Sequence, residues 1–250
     1  MKKSIFSIIL ILFSLNAAAE NKSEILVAAA PSVKMVVEKA AEIFMKKNAD
    51  VSIKFSFAAT GAIQNQIENG APIDVFIAVG GKNMSELEKK GYIVSVEKQV
   101  LAEDELVLAA LKESSINSIE DLYGNKVKLI ANGEPSIVPC AKTVEETMGY
   151  LGKYDVVKPK FVNGKDLMQV LYYVESGNAD AGFIWKSIAL KSDKIKIIFE
   201  ADSKMHKQVL IEAAPLKESK NITKDIEFIN YLKSIEIQEM FKKSGFNIKK

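Results

Sequence analysis

The chain is 250 residues long, 48% hydrophobic and 26% charged, with 34 basic against 32 acidic residues, one histidine and one cysteine. Every basic residue is a lysine, which excludes a bidentate guanidinium grip on carboxylate or phosphate, and the balanced charge argues against nucleic acid as a partner. A single cysteine, Cys140, excludes an intramolecular disulfide, and a single histidine, His206, with no Gly-x-Ser-x-Gly elbow, leaves neither a catalytic triad nor a histidine-bearing metal cluster easy to build.

The chain opens with Lys2 and Lys3, an apolar run from Ile5 to Leu15, and the small residues Ala17, Ala18 and Ala19. That pattern predicts a secretory signal over residues 1–19, cut before Glu20, because the run is too short to span ~30 Å of hydrocarbon. Removing Lys2 and Lys3 leaves 32 basic and 32 acidic residues, hence zero net charge. No cysteine near the cut could accept a lipid, so a soluble periplasmic protein is expected.

Beyond the signal, β-branched runs alternate with amphipathic stretches, the pattern of an α/β protein with mostly parallel sheets. A strand is expected at 25 to 30 and a helix at 33 to 47, with Val36, Val37, Ala40, Ala41 and Phe44 on its apolar face. A strand at 51 to 57, a short helix at 62 to 69 stopped by Gly70, a strand at 74 to 79 and a helix at 83 to 90 follow. Extended runs come next at 99 to 101 and 106 to 111. A second series has strands at 127 to 131, 160 to 162 and 181 to 184 and helices at 141 to 148 and 166 to 177. The remaining strand at 209 to 213 and helices at 224 to 233 and 237 to 243 find no place in that second unit and are read as returning to the first. The expected architecture is therefore two α/β lobes, 20–101 with 208–250 and 102–207, joined by two extended crossings that act as a hinge.

Ligands of open α/β lobes bind beyond the carboxyl ends of strands, where helix-start amides point outward. Four turns fit: Ala30-Pro31-Ser32, Ala59-Thr60-Gly61, Val138-Pro139-Cys140-Ala141 and Gly164-Lys165-Asp166-Leu167. Ser32 and Thr60 also suit simple helix capping, so only the constellation points to a cage of neutral donors for a small anion. His206 reads as solvated, Glu145 and Glu146 as an exposed helix face, and the Glu103-Asp104-Glu105 run as surface near a crossing. Cys140 reads as a small buried residue, with a low-pKa nucleophile of an exported α/β enzyme as the competing reading.

Certain strings are more specific than this alternation. They are Val27-Ala28-Ala29-Ala30, Ser56-Phe57-Ala58, the segment from Gln66 through Asn69-Gly70-Ala71-Pro72-Ile73-Asp74 to Ile77, Val138-Pro139, and the ending Phe241-Lys242-Lys243-Ser244-Gly245-Phe246. In them the chain resembles the periplasmic molybdate-binding proteins of ABC importers, over nearly its whole length after the signal. The resemblance implies a type II periplasmic binding protein with a two-strand hinge. It would close as a monomer on molybdate or tungstate and deliver it to a permease in the inner membrane, with neither catalysis nor a cofactor. The family holds its oxyanion with hydroxyls and backbone amides. Carried over, the first hydroxyl position falls on Pro31, for which Ser32 stands in, the second on Thr60, the two backbone-amide positions on Cys140 and Leu167, and the last hydroxyl position on Trp185. Pro31 and Trp185 depart from the family pattern, which leaves sulfate, chromate, phosphate or a small organic acid open as alternative ligands.

Overall fold

The computed structural model describes residues 22 to 248 except residue 137. The expected signal lies outside the described residues. In chain order the described elements are β1 (Ser23–Ala29), α1 (Lys34–Lys47), β2 (Val51–Phe57), α2 (Thr60–Glu68), β3 (Val75–Val79), α3 (Gly81–Lys89), β4 (Gln99–Asp104) and β5 (Leu106–Leu111). There follow β6 (Ile130–Gly133), α4 (Cys140–Tyr150), α5 (Tyr154–Val157), β7 (Phe161–Gly164), α6 (Leu167–Glu175), β8 (Ala181–Trp185), α7 (Lys186–Ala189) and β9 (Ile195–Glu200). The chain ends through β10 (Val209–Pro215), α8 (Ile222–Leu232) and α9 (Ile235–Lys243).

Two five-stranded sheets form, in the orders β2-β1-β3-β10-β4 and β7-β6-β8-β5-β9. Helices flank both, giving the two-lobed α/β architecture. The period-2 alternation of strand side chains divides the first sheet's burial between two cores. Val27, Ala29, Val75, Ile77 and Ala213 pack with α1, α8 and α9, whereas Ala28, Phe76, Ala78 and Ala214 pack with α2 and α3. The second sheet shares one core with α4 and α6, through Ile130, Phe183, Val144, Val170 and Val174.

In each sheet one strand opposes the others: β10 is antiparallel to β3 and β4, and β5 is antiparallel to β8 and β9. The reason lies in the crossings. β4 ends at Asp104, Glu105 alone intervenes, and β5 starts at Leu106 opposite Trp185, the last residue of β8. Likewise β9 ends at Glu200, and β10 starts at Val209 opposite Asp104. A strand that leaves one sheet at its carboxyl edge and enters the other at its carboxyl edge must run against the strands it joins. The carboxyl edges of the two sheets therefore face each other across the gap between lobes.

The first crossing thus sits at Glu105, because β4 continues in the first sheet past Leu101. Three other expectations change. The strand read at 127 to 131 begins only at Ile130, since the Asp180 carboxylate accepts the amides of Lys128 (2.7 Å) and Leu129 (2.9 Å) in place of a neighbouring strand. β9 was not foreseen, being a short half-buried edge strand whose Ile195, Ile197, Ile198 and Phe199 lack clean alternation. Asp104 is fully buried, not a surface residue.

Candidate functional site

Parallel registers bring the strand ends level: Ala29 lies beside Phe57 and Ile77 in the first lobe, and Gly133 beside Gly164 in the second. From these ends the chain turns directly into helices. Ala30 precedes a short helical turn, Pro31–Val33, with proline at its first position, where the missing N–H costs nothing. Thr60 opens α2, Cys140 opens α4 and Leu167 opens α6, while Trp185 caps α7. The starts at Ala30, Ala59 and Pro139 carry no side-chain cap, whereas at Trp185 the amides of Lys186 and Ser187 are taken by the Glu105 carbonyl (2.8 Å) and the Asp104 carboxylate (3.3 Å). At α6 the Asp166 carboxylate takes the amide of Gln169 (2.8 Å), which leaves that of Leu167 outside the cap.

Two glycines make the second-lobe turns possible. A Cβ on Gly133 would stand 2.4 Å from a Val138 methyl carbon, and one on Gly164 would stand 3.0 Å from a Val170 methyl carbon. Only glycine lets the loops fold back closely enough to aim α4 and α6 at the gap.

Ser32 and Val36 share a cavity of about 400 Å³ with Ser187 and Leu190, so this space spans the two lobes. The Thr60 hydroxyl stands 3.5 Å from both the nitrogen and the oxygen of Val79, too long to be consumed by either. Cys140 is completely buried, and burial, then the nearby Asp104 charge, pushes its thiol well above the usual range. A protonated, inaccessible thiol cannot serve as a nucleophile, which removes the support for the Cys140 enzyme reading. Trp185 is 7% exposed and belongs to the second-lobe core, its backbone paired with Leu106 just past the first crossing. Among the described residues no hydrogen bond joins any two of Ser32, Thr60, Cys140, Leu167 and Trp185, and of these five Ser32 alone lines the cavity between the lobes.

Three residues at the two crossings depart from the sequence reading. Asp104 accepts the Ser187 hydroxyl at 2.5 Å and the Ser187 and Glu105 amides at 3.3 and 3.0 Å, tying the first lobe to the second. Burial pushes its carboxyl up to about 6, against the pull of those hydrogen bonds. His206 is half-buried, with Nδ1 2.8 Å from the Lys207 carbonyl, so it is not simply solvated. Glu146 accepts the Lys207 amide at 3.0 Å, so it holds the second crossing instead of forming a merely exposed face. A larger cavity, about 930 Å³, lies at the amino ends of β1 and β3, away from the carboxyl edges; its wall carries Glu24, Glu68, Asp74 and Glu218 against Lys22 and Lys220, a net negative surround.

Residues 25–247 match the model of the family described as bacterial extracellular solute-binding protein. The chain belongs to this family. Among relatives of this solute-binding protein, the molybdate-binding protein ModA of Haemophilus influenzae is 30% identical over 95% of this chain and 93% of its own. The molybdate-binding protein ModA of Escherichia coli is 32% identical over 94% of this chain and 92% of its own. The structure superposes on the substrate-binding domain assigned to a molybdenum ABC transporter of Clostridium difficile with a TM-score of 0.84 and 36% identity, covering 91% of this chain and 99% of that one. Among the described residues of the solute-binding protein, no helix is long and apolar enough to cross a membrane.

Proposed function

We propose that this solute-binding protein captures molybdate or tungstate in the gap between its lobes and delivers it to the membrane permease of an ABC importer. The observation that carries the reading is the apposition of two carboxyl edges with uncapped helix starts on both sides, in an arginine-free chain related to molybdate-binding proteins. A tetrahedral dianion placed there would take hydroxyls from Ser32 and Thr60 and amides from Thr60, Cys140 and Leu167, and the indole N–H of Trp185 would supply a further donor at the hinge. Ser32 takes the place that Pro31 cannot fill, supported by its position on the cavity shared with Ser187. We place the mature protein in the periplasm without a lipid anchor, acting as a monomer with no cofactor or catalytic step, and divide it into lobes at Glu105 and between Glu200 and Val209. Closure of the lobes would then shield the ion from water.

Thermal melting tests this reading. Molybdate or tungstate at micromolar to millimolar concentration is expected to raise Tm with concentration, as binding to the folded state requires. Flat curves with both anions and a shift with sulfate, chromate or phosphate would transfer the function to that oxyanion, as the Pro31 and Trp185 departures allow.

A further inference from the structure

The cavity of about 400 Å³ between the lobes is built differently from the proposed cage of neutral donors. The first lobe gives it Ser32, from the turn before α1, with Lys243 and Ser244 from the end of α9. The second lobe gives it Ser187 and Lys191, from α7 and the turn after it. The chain's tail brings these walls together. Gly245 lies at φ 90°, and a Cβ there would stand 2.9 Å from a Leu190 methyl carbon and 3.0 Å from the Ser187 Cα. Only glycine lets the end of α9 pack so closely on α7.

The lining is cationic on one part and apolar on the other. Lys191 and Lys243 come from opposite lobes, and among the described residues neither ammonium makes an ion pair or a hydrogen bond. Neighbouring lysines are answered: Lys186 lies 2.8 Å from both Glu105 and Glu200, and Lys242 is bonded to Glu239. The Ser32 and Ser244 hydroxyls add two more donors without a partner among the described residues. The Ser187 hydroxyl is spent on Asp104, which stands behind it and outside the lining; against that one carboxylate the cavity wall sets two ammonium groups. The apolar part is Met35, 74% exposed, and Leu190, 53% exposed. A bare inorganic ion gains nothing from such a wall, whereas an organic ligand does, and the volume falls within the range of small-ligand pockets, roughly 300 to 1,000 Å³.

We propose that this cavity is a second ligand site, for a small organic anion whose charged group meets Lys191, Lys243 and the Ser32 and Ser244 hydroxyls while its apolar body covers Met35 and Leu190. The site is separate from the oxyanion cage, because Thr60, Cys140, Leu167 and Trp185 do not line it, and it does not depend on the oxyanion reading. Ser32 is the one residue the two have in common. An organic anion that holds its hydroxyl takes one donor from the cage and sets a like charge beside it. Each ligand then weakens the other by the same factor, about tenfold for one hydrogen bond to a charged group.

Isotopic labelling of the methionine methyls puts an NMR reporter, Met35, on the cavity wall, assigned through Met35→Leu. Phenylacetate is the probe, and acetate is the same charge without the apolar body. Phenylacetate is expected to shift the Met35 methyl saturably and to bind roughly tenfold or more tightly than acetate. It is expected to bind roughly tenfold more weakly to the Lys191→Ala/Lys243→Ala double variant, whose exposed side chains can be removed without disturbing the fold. With molybdate saturating, its Kd is expected to rise about tenfold and then stop. No saturable shift at Met35, equal binding of acetate, or an unchanged Kd in the double variant overturns the proposal. A phenylacetate Kd that climbs without limit as molybdate is added shows a single shared site and overturns it too. If molybdate does not bind at all, the oxyanion reading fails alone, and the Met35 titration without molybdate decides this proposal.

Discussion

Replacing Leu167 with proline deletes one donor of the proposed cage while leaving the helix that carries it. Leu167 is the first residue of α6, where proline's missing N–H breaks no intrahelical bond. The residue before it, Asp166, is extended at φ −155° and ψ 169°, the conformation a following proline requires, and its cap to Gln169 is untouched. The same change at Cys140 would be unclean, because Pro139 sits in the helical region at φ −56° and ψ −30°. A hydrogen bond to a charged group contributes about 1.5 to 3 kcal/mol, so Leu167→Pro is expected to weaken molybdate binding roughly ten- to a hundredfold. Leu167 also packs partly against the second-lobe core, so Leu167→Ala is the control: it removes the side chain and keeps the amide. Calorimetry of both variants at one pH separates the two contributions. If Leu167→Pro binds as tightly as Leu167→Ala, the amide takes no part in the site and the donor cage as drawn is wrong.

Asp225 is fully buried, and burial, helped by the nearby Asp74 charge and opposed by the Ser219 side chain, raises its carboxyl to about 6 from 3.8. The folded state therefore holds a proton there that the unfolded state has released, so stability is full at low pH and falls as pH rises through this window, by up to about 3 kcal/mol. Asp225→Asn is expected to raise Tm at pH 7.5 and to change it little near pH 4; no difference between the two conditions would contradict the assignment. Gly133→Ala drives a Cβ to within 2.4 Å of Val138 and is expected to cost about 1 to 3 kcal/mol in denaturant unfolding, partly recovered by adding Val138→Ala. A thiol reagent is expected to leave Cys140 unmodified in the native protein and to label it after unfolding; rapid native labelling would contradict its burial.

Local pattern made much of this fold legible. Continuous apolar runs marked β1 and β3, alternation marked β2, and the glycines after helices marked where they stop. The helix starts that carry Thr60, Cys140 and Leu167 were legible for the same reason, since turn chemistry is local. Long-range matters were not. Whether Lys128 and Leu129 join a strand depends on Asp180, and no window of sequence contains both. Asp104 looked like surface because it sits in an acidic run, while its burial is decided by Ser187 and by β10, which are distant in the chain. A charged residue's place in the core is set by partners that periodicity does not report.

If one oxyanion sits between the two carboxyl edges, tungsten's anomalous X-ray scattering in crystals grown with tungstate locates it directly. A single strong peak is expected within hydrogen-bonding reach, through its oxygens, of the amides of Cys140 and Leu167 on one side and of Ser32 and Thr60 on the other. A peak elsewhere, or none in the gap with the lobes closed, would contradict it.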